Sequence, residues 1–104
     1  MAIPKKYLKF KESYPEIGEI YEKLNDATQV AGPLDAKTRA LVKLSISIGA
    51  RMEGAASSHA RKAAEAGCSI EEMKHIALLS LPTLGFPSMM AALGWIDKAL
   101  EEKK

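Results

Sequence analysis

Few side chains in this sequence are suited to chemistry, and the most informative of them is a histidine. His59 lies in the stretch Glu53–Ala66, whose apolar positions are nearly all alanine. On a helical wheel His59 falls beside those alanines, while the charged residues of the stretch, Arg61, Lys62 and Glu65, fall on the opposite face. An imidazole has an ordinary pKa of about 6.5, so His59 is a candidate acid or base near neutral pH. The alternative is a core histidine that is hydrogen-bonded to a neighbour.

The single cysteine, Cys68, is interpreted as structural. It cannot form an internal disulfide, a CxxC redox pair or a zinc site of several cysteines. It directly precedes Ser69-Ile70-Glu71-Glu72, which has the pattern of a capping box. Cys68 before the cap and Met73 at the fourth helical position have the spacing of a hydrophobic staple. His75, four residues after Glu71, is interpreted as one member of a surface pair.

Length and composition limit the classes of protein to consider. The chain has 104 residues, of which 47% are hydrophobic and 27% charged, as expected for one soluble globular domain over residues 1–104. A net charge of +2 gives no reason to expect nucleic-acid binding. The longest uncharged run, Ile76–Ile96, is interrupted by Pro82, Gly85 and Pro87, so we expect two buried helical pieces and no membrane span. Without a signal-peptide pattern, the expected location is cytoplasmic.

The elements that must position these residues are all predicted to be helices. A basic segment, residues 1–12, precedes a first helix that starts at Ser13, where Ser13-Tyr14-Pro15-Glu16 fits a capping box with an early proline. Asp35 is the predicted cap of a helix that runs to about Met52. The alanine-rich helix ends at Gly67, a fourth begins at Ser69 and ends or kinks at Pro82, and a fifth follows Gly85.

Two of these helices carry more apolar surface than one core requires. Leu44 and Ile48 define one face of the second helix, but Val42 and Ile46 make another face apolar, which indicates burial on two sides by the fold or by a second subunit. The second half of the fourth helix, with Leu78 and Leu79, is predicted to be buried on most sides. Trp95 lies off the core stripe of the last helix and is a candidate for either a subunit contact or the edge of the core.

Several of these pieces together resemble a known family. They are the run Leu34-Asp35-Ala36-Lys37-Thr38-Arg39, Glu53 with His59 six residues later, Ala66-Gly67-Cys68-Ser69-Ile70-Glu71-Glu72-Met73, and Gly85-Phe86-Pro87 before the last helix. In this order and spacing they resemble the carboxymuconolactone decarboxylase family, which includes the alkylhydroperoxidase D-like proteins, over residues 34–100. The resemblance implies an all-α bundle of about five helices that assembles into a homo-oligomer, commonly a trimer or hexamer.

The redox branch of that family does not match this chain. The alkylhydroperoxidase-like pattern is Cys-x-x-Cys-x-x-x-His with a glutamate on the preceding helix. Aligned on His59, it places Met52 and Ala55 at the two cysteine positions and Ala40 at the glutamate. Neither Met52 nor Ala55 can supply the thiolate that attacks peroxide. Peroxidase activity of alkylhydroperoxidase type is therefore the less favoured alternative, with Cys68 acting across a subunit boundary as its remaining form.

The decarboxylase branch is the better match, and it implies roles for three residues. That branch acts on 4-carboxymuconolactone in aromatic degradation, and its Thr-Arg pair and its Glu six residues before the His match Thr38-Arg39, Glu53 and His59. By this resemblance Arg39 anchors the substrate carboxylate, His59 is the catalytic acid or base, and Glu53 holds its tautomer. Six residues on one helix differ by about 240°, so Glu53 would have to reach His59 from a turn or another subunit.

The resulting hypothesis is a cofactor-free lyase that acts on a carboxylated lactone or a related small acid and binds no metal. The alternative is a non-catalytic helical oligomer used for binding or assembly. The two hypotheses differ in whether His59 faces a ligand-sized space with Arg39 or Glu53 nearby or is packed among alanines.

Overall fold

The computed structural model of the chain describes residues 3–102, and its regular elements there are all helices. In chain order they are α1 (Lys5–Ser13), α2 (Pro15–Gln29), α3 (Ala36–Gly49), α4 (Glu53–Glu65), α5 (Ile70–Leu79), α6 (Leu81–Leu84) and α7 (Phe86–Glu102). The predicted all-α class is confirmed. The elements exceed the predicted five because α1 forms within the predicted basic segment and α6 is a single turn around Pro82. Met1, Ala2, Lys103 and Lys104 lie outside the described residues.

The helices fall into two compact units, one up to Asp35 and one from Ala36 onward. In the first unit α1 and α2 pack against each other, with the Tyr7 and Tyr21 rings edge to face at 6.0 Å. Lys11 Nζ lies 2.6 Å from Glu22 Oε2. Gly18 is buried at this contact, where a Cβ would lie 2.9 Å from the Lys11 Cγ. The two units are defined by contacts between residues, and this definition does not test whether residues 1–104 form a single domain. The single domain therefore stays a prediction.

The start of α2 differs from the predicted capping box. Ser13 is the last residue of α1, and the cap position of α2 is Tyr14, which makes no side-chain capping bond. The reason is that the chain is still helical at Ser13: the Tyr14 N–H donates to the Phe10 carbonyl. Pro15 occupies the first helical position, where a residue without an N–H leaves no donor unsatisfied.

The other predicted helix starts are confirmed. Helix α3 begins at Ala36, directly after Asp35. At α5 both bonds of the capping box are present: the Glu72 N–H donates to Ser69 Oγ at 3.0 Å, and the Ser69 N–H donates to Glu72 Oε1 at 2.8 Å. Helix α4 closes at Gly67, whose φ of +96° is the left-handed conformation that glycine adopts without cost.

Helix α3 ends earlier than predicted, at Gly49 rather than about Met52. The chain turns at Arg51, whose φ is +59°, and the Met52 N–H donates to the Ser47 carbonyl at 3.0 Å. This six-to-one bond is that of a Schellman turn, in which the left-handed position is usually glycine. A side chain in that conformation costs about 1–2 kcal/mol.

The core of the second unit is built on the small residues of α4. Ala56, Ala60 and Ala63 are 0% exposed, and α4 packs against both α3 and α7. Because alanine projects so little from the backbone, these helices lie close to α4. The remaining buried members come from the helices around it and from the turn before α5: Leu44, Ile48, Cys68, Met73, Ala77, Ala92, Ile96 and Ala99.

One predicted burial is wrong within the single chain, that of the second half of α5. For the second apolar face of α3, the structure removes burial by the fold of one chain and leaves burial by a second subunit as the prediction. Leu78 and Leu79 were predicted to be buried, but they are exposed, Leu79 at 60%. On α3, Leu44 and Ile48 are in the core, whereas Val42 is exposed and Ile46 is 63% exposed. The core covers one face of α3 and one face of α5, so the second apolar face of each of these two helices is exposed in the single chain.

Candidate functional site

His59 lies in the second turn of α4, at the edge of the alanine face. It is half-buried, and its neighbours Ser58 and Ala60 are buried. The prediction that His59 stands beside the buried alanines is confirmed. The histidine therefore lies where α4 packs into the unit while its ring keeps partial access to solvent.

The surroundings of His59 disfavour its protonated form. The pKa of His59 is lowered from 6.5 to about 4, first by burial and then by the positive charges of Lys62 and Lys43. Lys62 stands one turn further along α4, and Lys43 comes from α3. Removing an imidazole from water and placing ammonium groups near it both penalise the imidazolium. His59 is therefore neutral at pH 7, which is the form that accepts a proton.

Arg39 joins this group through Lys43. The two residues lie four apart on α3 and are half-buried. The pKa of Lys43 is lowered, first by burial and then by the charges of Lys62 and Arg39. We call Arg39, Lys43 and Lys62 the cationic cluster. Arg39 and Lys62 both disfavour the charged form of Lys43, so an anion bound near Lys43 would offset their effect.

The structure does not bring Glu53 to His59 within one chain. Glu53 is the first residue of α4 and is exposed. In the part of the chain that the structure describes, it makes no hydrogen bond or ion pair with His59, as the 240° separation along a helix predicts. The role of Glu53 as the partner of His59 stays a prediction that requires a second subunit.

Lys43 and Lys62 belong to the site, but sequence reasoning missed them. Lys62 was placed on the face of α4 opposite the alanines, although it stands only three residues after His59. Lys43 was given no role, although it follows Arg39 by four residues and so shares a face of α3 with it. These two spacings could have identified both lysines from the sequence. The proximity of Lys43 to His59, in contrast, depends on how α3 packs on α4.

Within the described residues, Cys68 and the two residues that align with the redox cysteines, Met52 and Ala55, do not form a redox site. Cys68 is 7% exposed, and its Sγ lies 3.7 Å from the Lys37 carbonyl oxygen, as a weak donor. Met52 is exposed and Ala55 is half-buried. Among residues 3–102 no group of three or more His, Cys, Asp or Glu side chains is arranged to hold a metal ion.

Two cavities in the second unit lie apart from these predicted residues. One, of about 230 Å³, is lined by Ser45, Ile48, Gly49, Ile76, Leu79, Ser80, Thr83 and Leu84. The other, of about 260 Å³, is lined by Ile48, Arg51, Ser88, Ala91 and Trp95. In the first cavity the Ser45 hydroxyl donates to the Val42 carbonyl of α3 and the Ser80 hydroxyl donates to the Ala77 carbonyl of α5, and most of the other lining residues are apolar. His59, Arg39 and Glu53 line neither of them.

Comparison with known proteins agrees with this fold. The chain is 32% identical over 90 residues to the uncharacterised protein MJ0742 of Methanocaldococcus jannaschii, covering 85% of this chain and 86% of that one. A crystal structure of a Burkholderia xenovorans protein, provisionally named a carboxymuconolactone decarboxylase, superposes with a TM-score of 0.70 at 20% identity. That superposition covers 98% of this chain and 85% of the other. Residues 15–98 match the model of the carboxymuconolactone decarboxylase family, so the chain belongs to that family.

Proposed function

We propose that the protein is a small-molecule lyase that decarboxylates a carboxylated lactone or a related acid, with His59 as its acid/base. The observation that carries this proposal is the neutral, half-buried His59 beside the cationic cluster. A proton-transfer group next to cations is the combination that an anionic substrate requires. Family membership adds the reaction class by analogy.

The electrostatics suggest how one histidine could serve the reaction. A carboxylate bound at the cationic cluster would offset the positive charges that disfavour imidazolium, so the pKa of His59 would rise towards its ordinary value. In decarboxylation the C–C bond to the carboxylate breaks and its electron pair remains on the lactone carbon framework. That framework must then be protonated. The fraction of His59 that takes up a proton from solvent would increase when the carboxylate binds, and this imidazolium would donate its proton to the carbon and return to the neutral form.

Arg39 is the proposed anchor of the substrate carboxylate. Its guanidinium can bind a carboxylate through two parallel hydrogen bonds, which fixes orientation as well as charge. Lys43, next to it on α3, would supply a second positive charge. Glu53 would hold the His59 tautomer only if it reaches the ring from another subunit.

Homo-oligomerisation is part of the proposal, with a trimer or hexamer as the expected assembly. The support for it is the apolar surface that one chain leaves exposed on α3 and α5, including Ile46 and Leu79. The same observation favours the second candidate function, a non-catalytic oligomer used for binding or assembly. A cytoplasmic location and the absence of a cofactor remain predictions. Peroxidase activity is not favoured, because Met52 and Ala55 cannot supply a thiolate.

The deciding experiment follows CO2 release from 4-carboxymuconolactone by the purified protein. We expect His59→Ala to lower the rate by about 100-fold or more, as for the loss of a general acid or base. The matched control is His75→Ala, which removes the other, exposed histidine and should leave the rate unchanged. If the unmodified protein releases no CO2 from this substrate or from related carboxylated lactones, the non-catalytic alternative is favoured. Equal losses in both variants would argue against a specific role for His59.

A further inference from the structure

The cavity lined by Arg51 and Trp95 has the properties of a second binding site. It lies between the C-terminal end of α3 and the first half of α7, and its other lining residues are Ile48, Ser88 and Ala91. Its volume of about 260 Å³ is slightly below the range of about 300–1,000 Å³ of pockets for drug-sized ligands, so it suits a smaller molecule. A molecule of about ten non-hydrogen atoms would fill it. We propose that this cavity binds a small carboxylate with a flat apolar body.

The charge of the cavity favours an anion. Among the described residues that line the cavity, Arg51 is the one ionisable side chain, and none of the others is a carboxylate. Within residues 3–102 Arg51 forms no ion pair, which leaves its guanidinium available to a ligand. Guanidinium is the side chain that matches a carboxylate in both charge and geometry.

Ser88 adds a second preference for an anion. It is 7% exposed and stands in the first turn of α7, a helix of 17 residues. The backbone N–H groups of a first turn have no acceptor within the helix and form the positive end of its dipole. The Ser88 hydroxyl makes no side-chain hydrogen bond to any other described residue, so it can donate to a ligand oxygen. Arg51 and Ser88, which come from two different elements, thus both line this cavity and both carry donor groups.

The remaining wall is apolar and includes an indole. Ile48 is buried, while Ala91 and Trp95 are half-buried, and Trp95 also packs against the core. An indole face favours a flat apolar partner by stacking and can also pack on a guanidinium. The cavity therefore combines a charged end with an apolar body, the usual composition of a small-molecule site.

The backbone conformation of Arg51 is compatible with a functional role for its side chain. Arg51 adopts the left-handed conformation at the Schellman turn, where glycine would be unstrained. Strained non-glycine residues of this kind concentrate at ligand sites. If Arg51 only formed the turn, glycine would form it with less strain. A ligand-binding role for the side chain would account for an arginine at this position.

Benzoate, with nine non-hydrogen atoms, is a suitable probe for this inference. Trp95 is the only tryptophan, so its indole N–H gives one NMR signal that reports on the cavity. We expect benzoate to shift this signal saturably, with a dissociation constant on the order of 1 mM, as for a ligand of this size. Benzamide, which is flat but neutral, should bind at least tenfold more weakly. Equal binding of benzamide and benzoate would overturn the proposal, as would the absence of a saturable shift.

Arg51→Gly separates binding from structure. Because glycine suits the left-handed turn, we expect the urea midpoint of this variant to be no lower than that of the parent, while its affinity for benzoate falls at least tenfold. The matched control is Arg61→Gln, which removes an arginine charge from α4, away from the cavity. This variant should bind benzoate as the parent does. His59→Gln should also bind unchanged, since a loss there would assign the signal to the cationic cluster and contradict the proposal. None of these readouts depends on CO2 release, so this site and the proposed activity can fail separately.

Discussion

At the scale of single residues, the charge state of His59 has a consequence for stability. Because its pKa is about 4 in the folded chain and about 6.5 when unfolded, the unfolded state binds the proton first as the pH falls. His59 therefore does not lower the free energy of unfolding above about pH 6.5. As the pH falls from 6.5 towards 4, the unfolded chain takes up the proton more readily and the free energy of unfolding decreases. His59 is only half-buried, so solvent screening reduces the expected loss to about 1–2 kcal/mol.

The measurement is the free energy of unfolding in urea at several pH values, for the parent and for His59→Gln. Carboxylates also titrate in this range, so the quantity of interest is the difference between the two proteins. We expect the difference to shift by about 1–2 kcal/mol between pH 7 and pH 4, in favour of the variant at low pH. His75→Gln serves as the control. A difference that is independent of pH would show that His59 is not held neutral by the fold.

A second residue-scale prediction concerns Cys68. Its thiol is buried and lies against the Lys37 carbonyl oxygen, so peroxide in solution has little access to it. We expect Cys68 to remain a thiol, as located by fragment-ion mass spectrometry, after treatment of the folded protein with hydrogen peroxide at neutral pH; exposed methionines such as Met52 are oxidised separately. The same treatment in denaturant should add oxygen to the thiol. Rapid oxidation in the folded protein would revive the redox alternative.

At the scale of elements, the capping serines make contrasting predictions. Both Ser13 and Ser69 precede a Glu at capping-box spacing, yet only Ser69 makes the two bonds. Ser69→Ala should lower the free energy of unfolding by about 1 kcal/mol, whereas Ser13→Ala should change it by less than about 0.5 kcal/mol. Urea denaturation followed by far-UV circular dichroism measures both. Equal effects would mean that Ser13 caps α2 in solution.

The contrast between these two serines shows how far local patterns determine an element. A capping box satisfies N–H groups within the first turn of a helix, and it requires the capping residue itself to have a non-helical backbone. At Ser69 the preceding Gly67 ends α4 and allows this. At Ser13 the helix α1 continues through the residue, so the same spacing has no capping function.

At the scale of the whole molecule, the prediction concerns assembly. Ile46 is 63% exposed on the second apolar face of α3, where the proposed subunit contact would bury it. We expect Ile46→Glu to shift the protein towards the monomer, because burying a carboxylate in an apolar contact is unfavourable. Light scattering coupled to size-exclusion chromatography gives the molar mass. Lys98→Glu, a charge change at an exposed residue of α7, should leave the mass unchanged. A parent protein that elutes as an 11.3 kDa monomer would contradict the proposed oligomer.

Sequence patterns predicted five of the seven described helices, the capping box at Ser69, the alanine face and the place of His59 beside it. These features depend on residues within one or two turns, which periodicity and capping patterns report. Three features could not be predicted from the sequence: Lys43 lies near enough to His59 to affect its pKa, Leu79 and Ile46 lie outside the core of the chain, and Arg51 and Trp95 line one cavity. Each of these depends on how helices distant in sequence pack against one another. The hydrophobic period of a single helix does not specify that packing, because it shows which face is apolar without showing what covers that face.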